Sequence, residues 1–303
     1  MRLPLPRAAR VLAVLWLAGA TSLRGQGLDA LRNQLEQRIA ASGAEVGLYF
    51  RDLTGPDSLA LGADTRFHAA STMKVPVMIQ VFREVDARRL RLNDRLNVVN
   101  TFRSIADTST YVLDKADDSD SSLYARVGQT LPVRNLVELM ITVSSNLATN
   151  ILIDRVRADS VRATLHTLGA DSVTVLRGVE DGAAYRAGMN NTTTARGLGI
   201  VMTAIVDGRA ASAQSCGEMV RVMQRQRFNS GIPAGLPRGM AVAHKTGWLT
   251  GTHHDAGIVY WQGRPRYVLV VLTRGIQDET QSAALIAELT AMVNAHAVPE
   301  AAR

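Results

Sequence analysis

A serine and a lysine three residues apart, Ser71 and Lys74, form the first pair in this sequence whose types and spacing suit covalent chemistry. On a helix, residues three apart share a face, so Lys74 would stand beside Ser71 one turn further on. A serine hydroxyl is a poor nucleophile until a base takes its proton, and a lysine whose charge is disfavoured by burial can be that base. The pair therefore predicts a nucleophilic serine, although the spacing alone also occurs by chance in chains of this length.

Lysine is rare in this chain, and its placement strengthens that prediction. Only three of the 34 lysine and arginine residues are lysines, namely Lys74, Lys115 and Lys245. Arginine does not give up its proton in a protein, whereas lysine can. Because arginine serves nearly everywhere that a surface charge is needed, Lys74 and Lys245 are predicted to act in a site. The alternative is a pair of ordinary salt-bridge lysines.

A second motif, Ser144-Ser145-Asn146, precedes an apolar helical pattern at residues 147–156. In a catalytic site Ser144 could relay a proton to a leaving nitrogen, and Asn146 could hold a substrate amide. The alternative is a plain helix N-cap, for which serine and asparagine are preferred residues. Taken alone, the motif favours the cap.

A third motif, Lys245-Thr246-Gly247, ends a strand-like run. Lys245 offers a positive charge and Thr246 a hydroxyl to a substrate carboxylate, while Gly247 lets an extended ligand approach the backbone closely. A strand that ends in a turn explains the same three residues. The motif is therefore informative only in combination with the other two.

Together the three motifs resemble the S-x-x-K, S-D-N and K-T-G set of class A β-lactamases and penicillin-binding proteins, with Ser145 in place of the usual aspartate. The resemblance covers roughly residues 28–297 and is carried by FHAASTMKVPVMIQVF, MITVSSNLATNILI and AHKTGWLTGTHHDAGIVY. VLRGVEDGAAYRAGMNNTTTARGL resembles the family's Ω loop, which carries a glutamate. The resemblance implies a serine β-lactamase that hydrolyses a small-molecule β-lactam through an acyl-enzyme on Ser71, with no cofactor and no metal.

The resemblance also implies a role for each motif residue. Ser71 attacks the lactam carbonyl, and the backbone N–H groups of Ser71 and Trp248 stabilise the oxyanion. Lys74 and Glu180 share the base role in acylation, Ser144 protonates the departing nitrogen, and Glu180 activates the hydrolytic water. The residues that contact the substrate are then Asn146, Lys245, Thr246, Gly247 and Trp248.

The Ω-loop segment departs from the family's pattern. The family has an arginine two residues before its glutamate, whereas here the arginine, Arg177, is one residue earlier. Asn191 stands where an aspartate closes the neck of the loop, and Ala184 stands where an asparagine helps to hold water. These changes predict that Glu180 is held differently, with Asp181 beside it as a rival base.

Two further departures concern the rim of the site. The segment from Leu92 to Val127 is longer than is usual for the family, and its acidic run Asp114 to Asp120 is typical of a solvated loop. Alternatively the segment rims the cleft, with Tyr124 lining the entrance. The family's usual guanidinium for the substrate carboxylate has no matching residue. Arg266 and Arg274 are nearby candidates, but the sequence favours an ordinary surface arginine at each position.

Two other functions remain open at this point. The first is a D-alanyl-D-alanine peptidase or related serine esterase, which uses the same acylation machinery; Glu180 argues against it. The second is a penicillin-binding sensor that is acylated and stays acylated. A sensor normally needs a membrane segment, and the sequence after its leader has no suitable apolar run.

These motifs need a scaffold, and the hydrophobic patterns predict one. Strand-like alternation occurs near both chain ends, while helical patterns dominate the middle. We therefore expect an α+β (mixed) fold: an antiparallel sheet with flanking helices, built from residues 27–66 and 209–303, plus an inserted all-helical lobe, residues 67–208. A cleft would lie at the seam, where ligand sites tend to form.

The N-terminus and the composition indicate an exported protein. Arginines precede the apolar run VLAVLWLAGA, which ends in small residues, so residues 1–20 are predicted to be a signal peptide with cleavage as late as residue 26. The expected location is periplasmic or secreted, without a stable membrane anchor, and the expected state is a monomer. The single cysteine, Cys216, excludes an internal disulfide, and the scattered basic residues argue against nucleic acid.

Overall fold

The computed structural model describes residues 27–298, which are organised around an antiparallel sheet. Its five strands lie in the order β2-β1-β11-β10-β9. The first part of the chain supplies β1 (Glu45–Asp52) and β2 (Ser58–Leu61), and the last part supplies β9 (Ala241–Leu249), β10 (Thr252–Trp261) and β11 (Arg264–Arg274). The predicted α+β class, with a sheet built from both chain ends, is confirmed.

The sheet is buried on both faces. Alternate residues of β11 point to opposite sides because the side-chain period of a strand is two. Tyr267, Leu269 and Val271 join a core under α1 (residues 27–42) and α9 (Glu279–Ala297). The next residue after each of them, at 268, 270 and 272, joins a second core, which continues into the helices of the middle of the chain.

The middle of the chain is mainly helical. α2 is buried along almost its whole length, which makes it the central helix of this region. Three short antiparallel strand pairs, which the hydrophobic pattern did not predict, lie between the helices: β3 with β8, β4 with β7, and β5 with β6. The helices are α2 (Lys74–Asp86), α3 (Val133–Thr142), α4 (Asn146–Val156), α5 (Ala158–Thr167), α6 (Gly182–Arg186), α7 (Ala195–Val206) and α8 (Ala213–Met223). The short strands are β3 (Phe67–His68), β4 (Arg95–Asn97), β5 (Phe102–Arg103), β6 (Thr110–Tyr111), β7 (Thr130–Pro132) and β8 (Thr192–Thr193).

The division into two lobes stays a prediction. α7 falls inside the range assigned to the helical lobe, yet it packs on the sheet, with Gly199 against the ring of Tyr49. The predicted signal peptide and its cleavage sites lie outside the described residues. Within residues 27–298, no helix has the length and apolar character that crossing a membrane requires.

Candidate active site

Ser71 lies in a 3-10 turn, Ala70–Met73, that leads directly into α2. Ala70 has a φ of +45°, a left-handed conformation that residues with a Cβ adopt rarely. Its N–H donates to His68 Nδ1 over 3.0 Å, which helps to hold the turn. Ser71 is partly exposed and lines a cleft of about 580 Å³, so a strained but fixed backbone presents the nucleophile to ligands.

Strand β9 passes very close to this turn at Gly247. A Cβ on Gly247 would lie 3.1 Å from the nitrogen of Ser71, from the Cβ of Ala70 and from the Cγ2 of Thr72. Glycine is therefore the residue that lets the strand approach. Trp248, the next residue on the strand, lines the same cleft as Ser71.

Lys74 is fully buried one turn after Ser71. Its Nζ donates to the carbonyl oxygen of Ser144 over 2.6 Å, to the Ser144 Oγ over 3.1 Å, and to the Asn146 Oδ1 over 2.8 Å. Burial lowers the pKa of Lys74 to about 7, against the opposing effect of the carboxylates of Asp118 and Glu180. These three bonds match the three N–H donors of the ammonium form, and burial makes the loss of one proton easier, which would give the neutral base.

Ser144 lies between two buried lysines. Its Oγ is 3.1 Å from the Nζ of Lys74 and 3.1 Å from the Nζ of Lys245. Burial, and next the nearby charge of Lys74, lower the pKa of Lys245 well below its usual value. The helix cap that the motif also suggested is supplied by Ser145, whose Oγ accepts from the Ala148 N–H, so Ser144 keeps its hydroxyl for the site.

Glu180 joins the same network through Asn146. The Asn146 Nδ2 donates to the Glu180 Oε1 over 2.8 Å, and the Asp114 N–H donates to the Glu180 Oε2 over 3.3 Å. Burial raises the pKa of the Glu180 carboxyl above its usual value, and the two hydrogen bonds oppose that rise. Glu180 lines the cleft together with Ser71.

Asp181, the rival base, has a structural set of contacts instead. It is buried, and its carboxylate accepts from the Ser104 Oγ over 2.8 Å and from the Ile105 N–H over 3.0 Å. It also caps α6 by accepting from the Ala184 N–H. Glu180, by contrast, is the acid of the two that contacts Asn146.

Hydrogen bonds of the Asn191 and Arg177 side chains close the neck of the Ω-loop segment. The Asn191 Oδ1 accepts from the N–H groups of Leu176 and Arg177, and its Nδ2 donates to the Arg177 carbonyl over 3.0 Å. The Arg177 guanidinium donates to the carbonyls of Met189 and Gly178 and to the Asn190 Oδ1. The side-chain amide of Asn191 therefore joins the two segments of the neck through main-chain hydrogen bonds.

The displaced arginine has a steric explanation. Gly178 lies against the side-chain amide of Asn150, where a Cβ would collide with that amide. Asn150 in turn accepts from the Val179 N–H over 2.7 Å and donates to the Val179 carbonyl over 3.0 Å. Asn150 thus clamps the loop one residue before Glu180, and this clamp excludes a side chain at position 178.

The candidate arginines for the substrate carboxylate, Arg266 and Arg274, each pair with a carboxylate of β1. Arg266 pairs with Asp52 and also donates to the Ala297 carbonyl. Arg274 pairs with Glu45, and its guanidinium lies 4.9 Å from the centre of the Phe67 ring. Both guanidinium groups are occupied at the ends of the sheet.

The long segment 92–127 contributes more to the site than the sequence predicted. Asp114 and Asp117 are exposed, as expected of a solvated run, but Asp118 is buried beside the start of α4. Tyr124 is not among the residues that line the cleft; its hydroxyl donates to the Asp118 Oδ2 over 3.1 Å. Nothing in the local pattern distinguishes Asp118 from its acidic neighbours.

The His253-His254-Asp255 run is divided among separate partners. The His253 Nδ1 lies 3.0 Å from the Ser282 Oγ, while the His254 Nε2 lies 2.9 Å from the His68 carbonyl oxygen. Asp255 pairs with His244. In the described part of the chain, no group of three or more His, Cys, Asp or Glu side chains is arranged to hold a metal ion.

This arrangement is typical of an active-site-serine hydrolase in which a buried lysine, rather than a histidine, follows the nucleophile by one turn. Comparison with known proteins then places the chain within that class. A profile of the Beta-lactamase enzyme family matches residues 30–297. The chain belongs to this family, as a divergent member of the class A type, and is a serine β-lactamase by descent.

The relatives are distant but cover most of the chain. A β-lactamase of Streptomyces fradiae is 27% identical over 280 residues, which is 89% of this chain and 86% of the relative. The crystal structure of a β-lactamase from Sphaerobacter thermophilus superposes with a TM-score of 0.75 at 28% identity, covering 87% of this chain and 95% of that one. PBP-A superposes with a TM-score of 0.75 at 29% identity, covering 87% and 94% of the two chains.

Proposed function

We propose that this β-lactamase opens a small-molecule β-lactam by acylation at Ser71 and releases the product through Glu180. One observation carries the proposal: the side chain of Asn146 joins Lys74 to Glu180. Its Oδ1 accepts from the Lys74 Nζ over 2.8 Å, and its Nδ2 donates to the Glu180 Oε1 over 2.8 Å. A single amide thus connects the base of the first step to the base of the second.

In acylation, neutral Lys74 takes the proton of the Ser71 hydroxyl, and the serine oxygen attacks the lactam carbonyl carbon. The N–H groups of Ser71 and Trp248 bind the developing oxyanion. When the C–N bond breaks, the nitrogen takes a proton from the Ser144 hydroxyl. Lys74 returns the serine's proton to Ser144, because its Nζ is 3.1 Å from that oxygen.

The substrate binds next to Lys245, which lies on the opposite side of the Ser144 hydroxyl from Lys74. Lys245 is buried, and a substrate carboxylate that arrives beside it favours its charged form. Thr246 adds a hydroxyl on the same strand, and Asn146 is placed to accept from or donate to a substrate amide. These residues bind the ring carboxylate and orient the carbonyl toward Ser71.

In deacylation, ionised Glu180 takes a proton from a water molecule, and the resulting hydroxide attacks the acyl ester. The C–O bond to Ser71 breaks, and the serine oxygen regains a proton. Water attacks an ester slowly without a positioned base, so this step decides between turnover and a trapped adduct. Ala184 is buried and carries no polar group, which leaves Glu180 and Asn146 to position the water.

The second candidate is a penicillin-binding protein that is acylated without turnover. The observation that favours it is the altered Ω-loop neck, where Asn191 replaces the family's aspartate near the proposed deacylation base. Both candidates are tested with purified mature protein and a chromogenic cephalosporin, followed by mass spectrometry after mixing with a penicillin. We expect hydrolysis and a transient adduct. An adduct on wild-type protein as lasting as that on Glu180→Gln would contradict the β-lactamase proposal, and Ser71→Ala is the blank for both measurements.

We also propose that the protein acts in the periplasm or outside the cell as a monomer. The charged, apolar and small-residue order of its first 20 residues supports export. N-terminal sequencing of the exported protein is expected to begin between Thr21 and Gly27. An intact Met1 in the membrane fraction would contradict this proposal, and light scattering of the purified protein tests the monomer.

A further inference from the structure

Asp118 differs from the other acidic residues of the run 114–120. Only 9% of its surface is exposed, whereas Asp117 beside it is exposed. Asp118 belongs to the part of the chain that exceeds the family's usual length. Its side chain contacts the main chain of Asn146.

The Asp118 carboxylate binds the start of α4. Its two oxygens each lie 2.9 Å from the Asn146 nitrogen, and its Oδ2 also accepts from the Leu147 N–H over 3.0 Å. The Tyr124 hydroxyl donates to the Oδ2 and the Asp120 N–H donates to the Oδ1. The first N–H groups of a helix have no partner within the helix and favour a negative charge, so these donors hold the carboxylate firmly.

Two catalytic side chains depend on this contact. Asn146, whose main chain Asp118 binds, is the residue that connects Lys74 to Glu180. The charge of Asp118 also acts on Lys74, where it opposes the effect of burial on the pKa, more strongly than Glu180 does. The remaining charged group that faces Lys74 is Lys245, on β9.

We infer that Asp118 is a positioning residue of this active site: it holds Asn146 in its bridging position and supplies the negative charge that the Ser-Ser-Asn motif lacks. Ser145 stands where the family's motif has aspartate, and Asp118 brings a carboxylate to the same helix end from 27 positions earlier in the chain. The inference rests on the proposed acylation chemistry, in which neutral Lys74 is the base.

The test is the pH dependence of acylation in Asp118→Asn, measured as the rate at which a fluorescent penicillin labels Ser71. Asparagine keeps one acceptor oxygen at the helix end but removes the charge. Without that charge, Lys74 loses its proton more easily, so the acid limb of the profile moves to lower pH, by on the order of one unit. The maximal rate also falls, because Asn146 is held less well.

The matched control is Asp117→Asn. It removes a carboxylate charge from the neighbouring residue, which is exposed. Its acid limb is expected to coincide with that of wild type. The inference would be overturned if Asp118→Asn folds and melts at a lower temperature but the acid limb of its labelling-rate profile stays at the wild-type pH. Asp118 would then be only a helix cap. Labelling reads acylation alone, so failed β-lactam turnover in wild type would contradict the proposed function and leave this test intact.

A double variant keeps the inference testable if Asp118→Asn does not fold. Ser145→Asp combined with Asp118→Asn returns a carboxylate to the helix end, where aspartate is as good an N-cap as serine. The acid limb of the double variant is expected at the wild-type position. A folded double variant whose limb stays about one unit lower would overturn the inference.

Discussion

The residues proposed for acylation and those proposed for deacylation are held by different kinds of structure. Lys74 and Lys245 are fully buried and lie on a helix and a strand, with Ser144 between them. Glu180 is only partly buried, lies on a loop, and depends on Asn146 and on a main-chain N–H of another loop. Groups on regular elements are held more precisely than groups on loops. The deacylation half of the site, Glu180 and its loop, is therefore expected to be more sensitive to substitution than the acylation half, Ser71, Lys74, Ser144 and Lys245.

The largest effect is expected in the acylation half. Ser71→Ala removes the nucleophile and is expected to abolish labelling and lower turnover by roughly 10⁶-fold. Lys74→Arg keeps the charge but removes the base, so acylation is expected to fall by up to about 10⁴-fold. Lys115→Arg, at an exposed position, is the matched control and should label at the wild-type rate. Near-normal acylation in Lys74→Arg would show that Lys74 is not the base.

Glu180→Gln separates the two halves. The amide cannot take a proton from water, so deacylation is expected to slow by at least about 10²-fold while acylation changes less. Mass spectrometry after mixing with a penicillin would then show a lasting adduct at Ser71. Equal losses in both steps would mean that the two halves are not separable, and the comparison would fail.

Gly178→Ala tests the clamp that holds the loop. The new Cβ collides with the Asn150 amide, and overpacking of this kind costs about 1–3 kcal/mol. We expect a lower melting temperature and a larger loss in deacylation than in acylation, from stopped-flow rates of the two steps. Gly217→Ala on α8, where a Cβ meets only the Arg221 side chain at 3.6 Å, is the control and should be neutral or slightly stabilising.

The smallest effect is a pH dependence within the physiological range. Burial lowers the pKa of Lys74 to about 7, so its neutral, basic form is depleted as the pH falls below that value. Acylation is therefore expected to fall about tenfold for each unit well below pH 7 and to level off above it. Labelling rates between pH 5 and 9 measure this, and a flat profile would exclude neutral Lys74 as the base.

Much of the acylation half could be predicted from the sequence, because its signals are local. Ser71 and Lys74 are one helical turn apart, and the short motifs at 144–146 and 245–247 are contiguous. The structure places the Ser144 Oγ 3.1 Å from the Nζ of Lys74 and 3.1 Å from the Nζ of Lys245, and it assigns the helix cap to Ser145. The roles of these residues stay predictions until the variants are measured.

The deacylation half could be predicted only in part. The sequence identified Glu180 and the altered neck, but it left Asp181 as a rival base and Arg266 and Arg274 as candidates for the substrate carboxylate. The structure shows that Asp181 binds Ser104 and Ile105. In each case the deciding contact is with a residue distant in sequence, which no periodicity or spacing reports.

The sequence by itself therefore determined the fold class, the family resemblance and the order of the three motifs, because each depends on residues within a few positions of one another. The tertiary structure alone decided which acidic residue meets α4 and what holds Glu180. Asp118 contacts Leu147 across 29 positions, and Asp114 contacts Glu180 across 66. Such pairs form only when separate elements pack, since the free energy that selects one carboxylate from an acidic run comes from the donors it meets there.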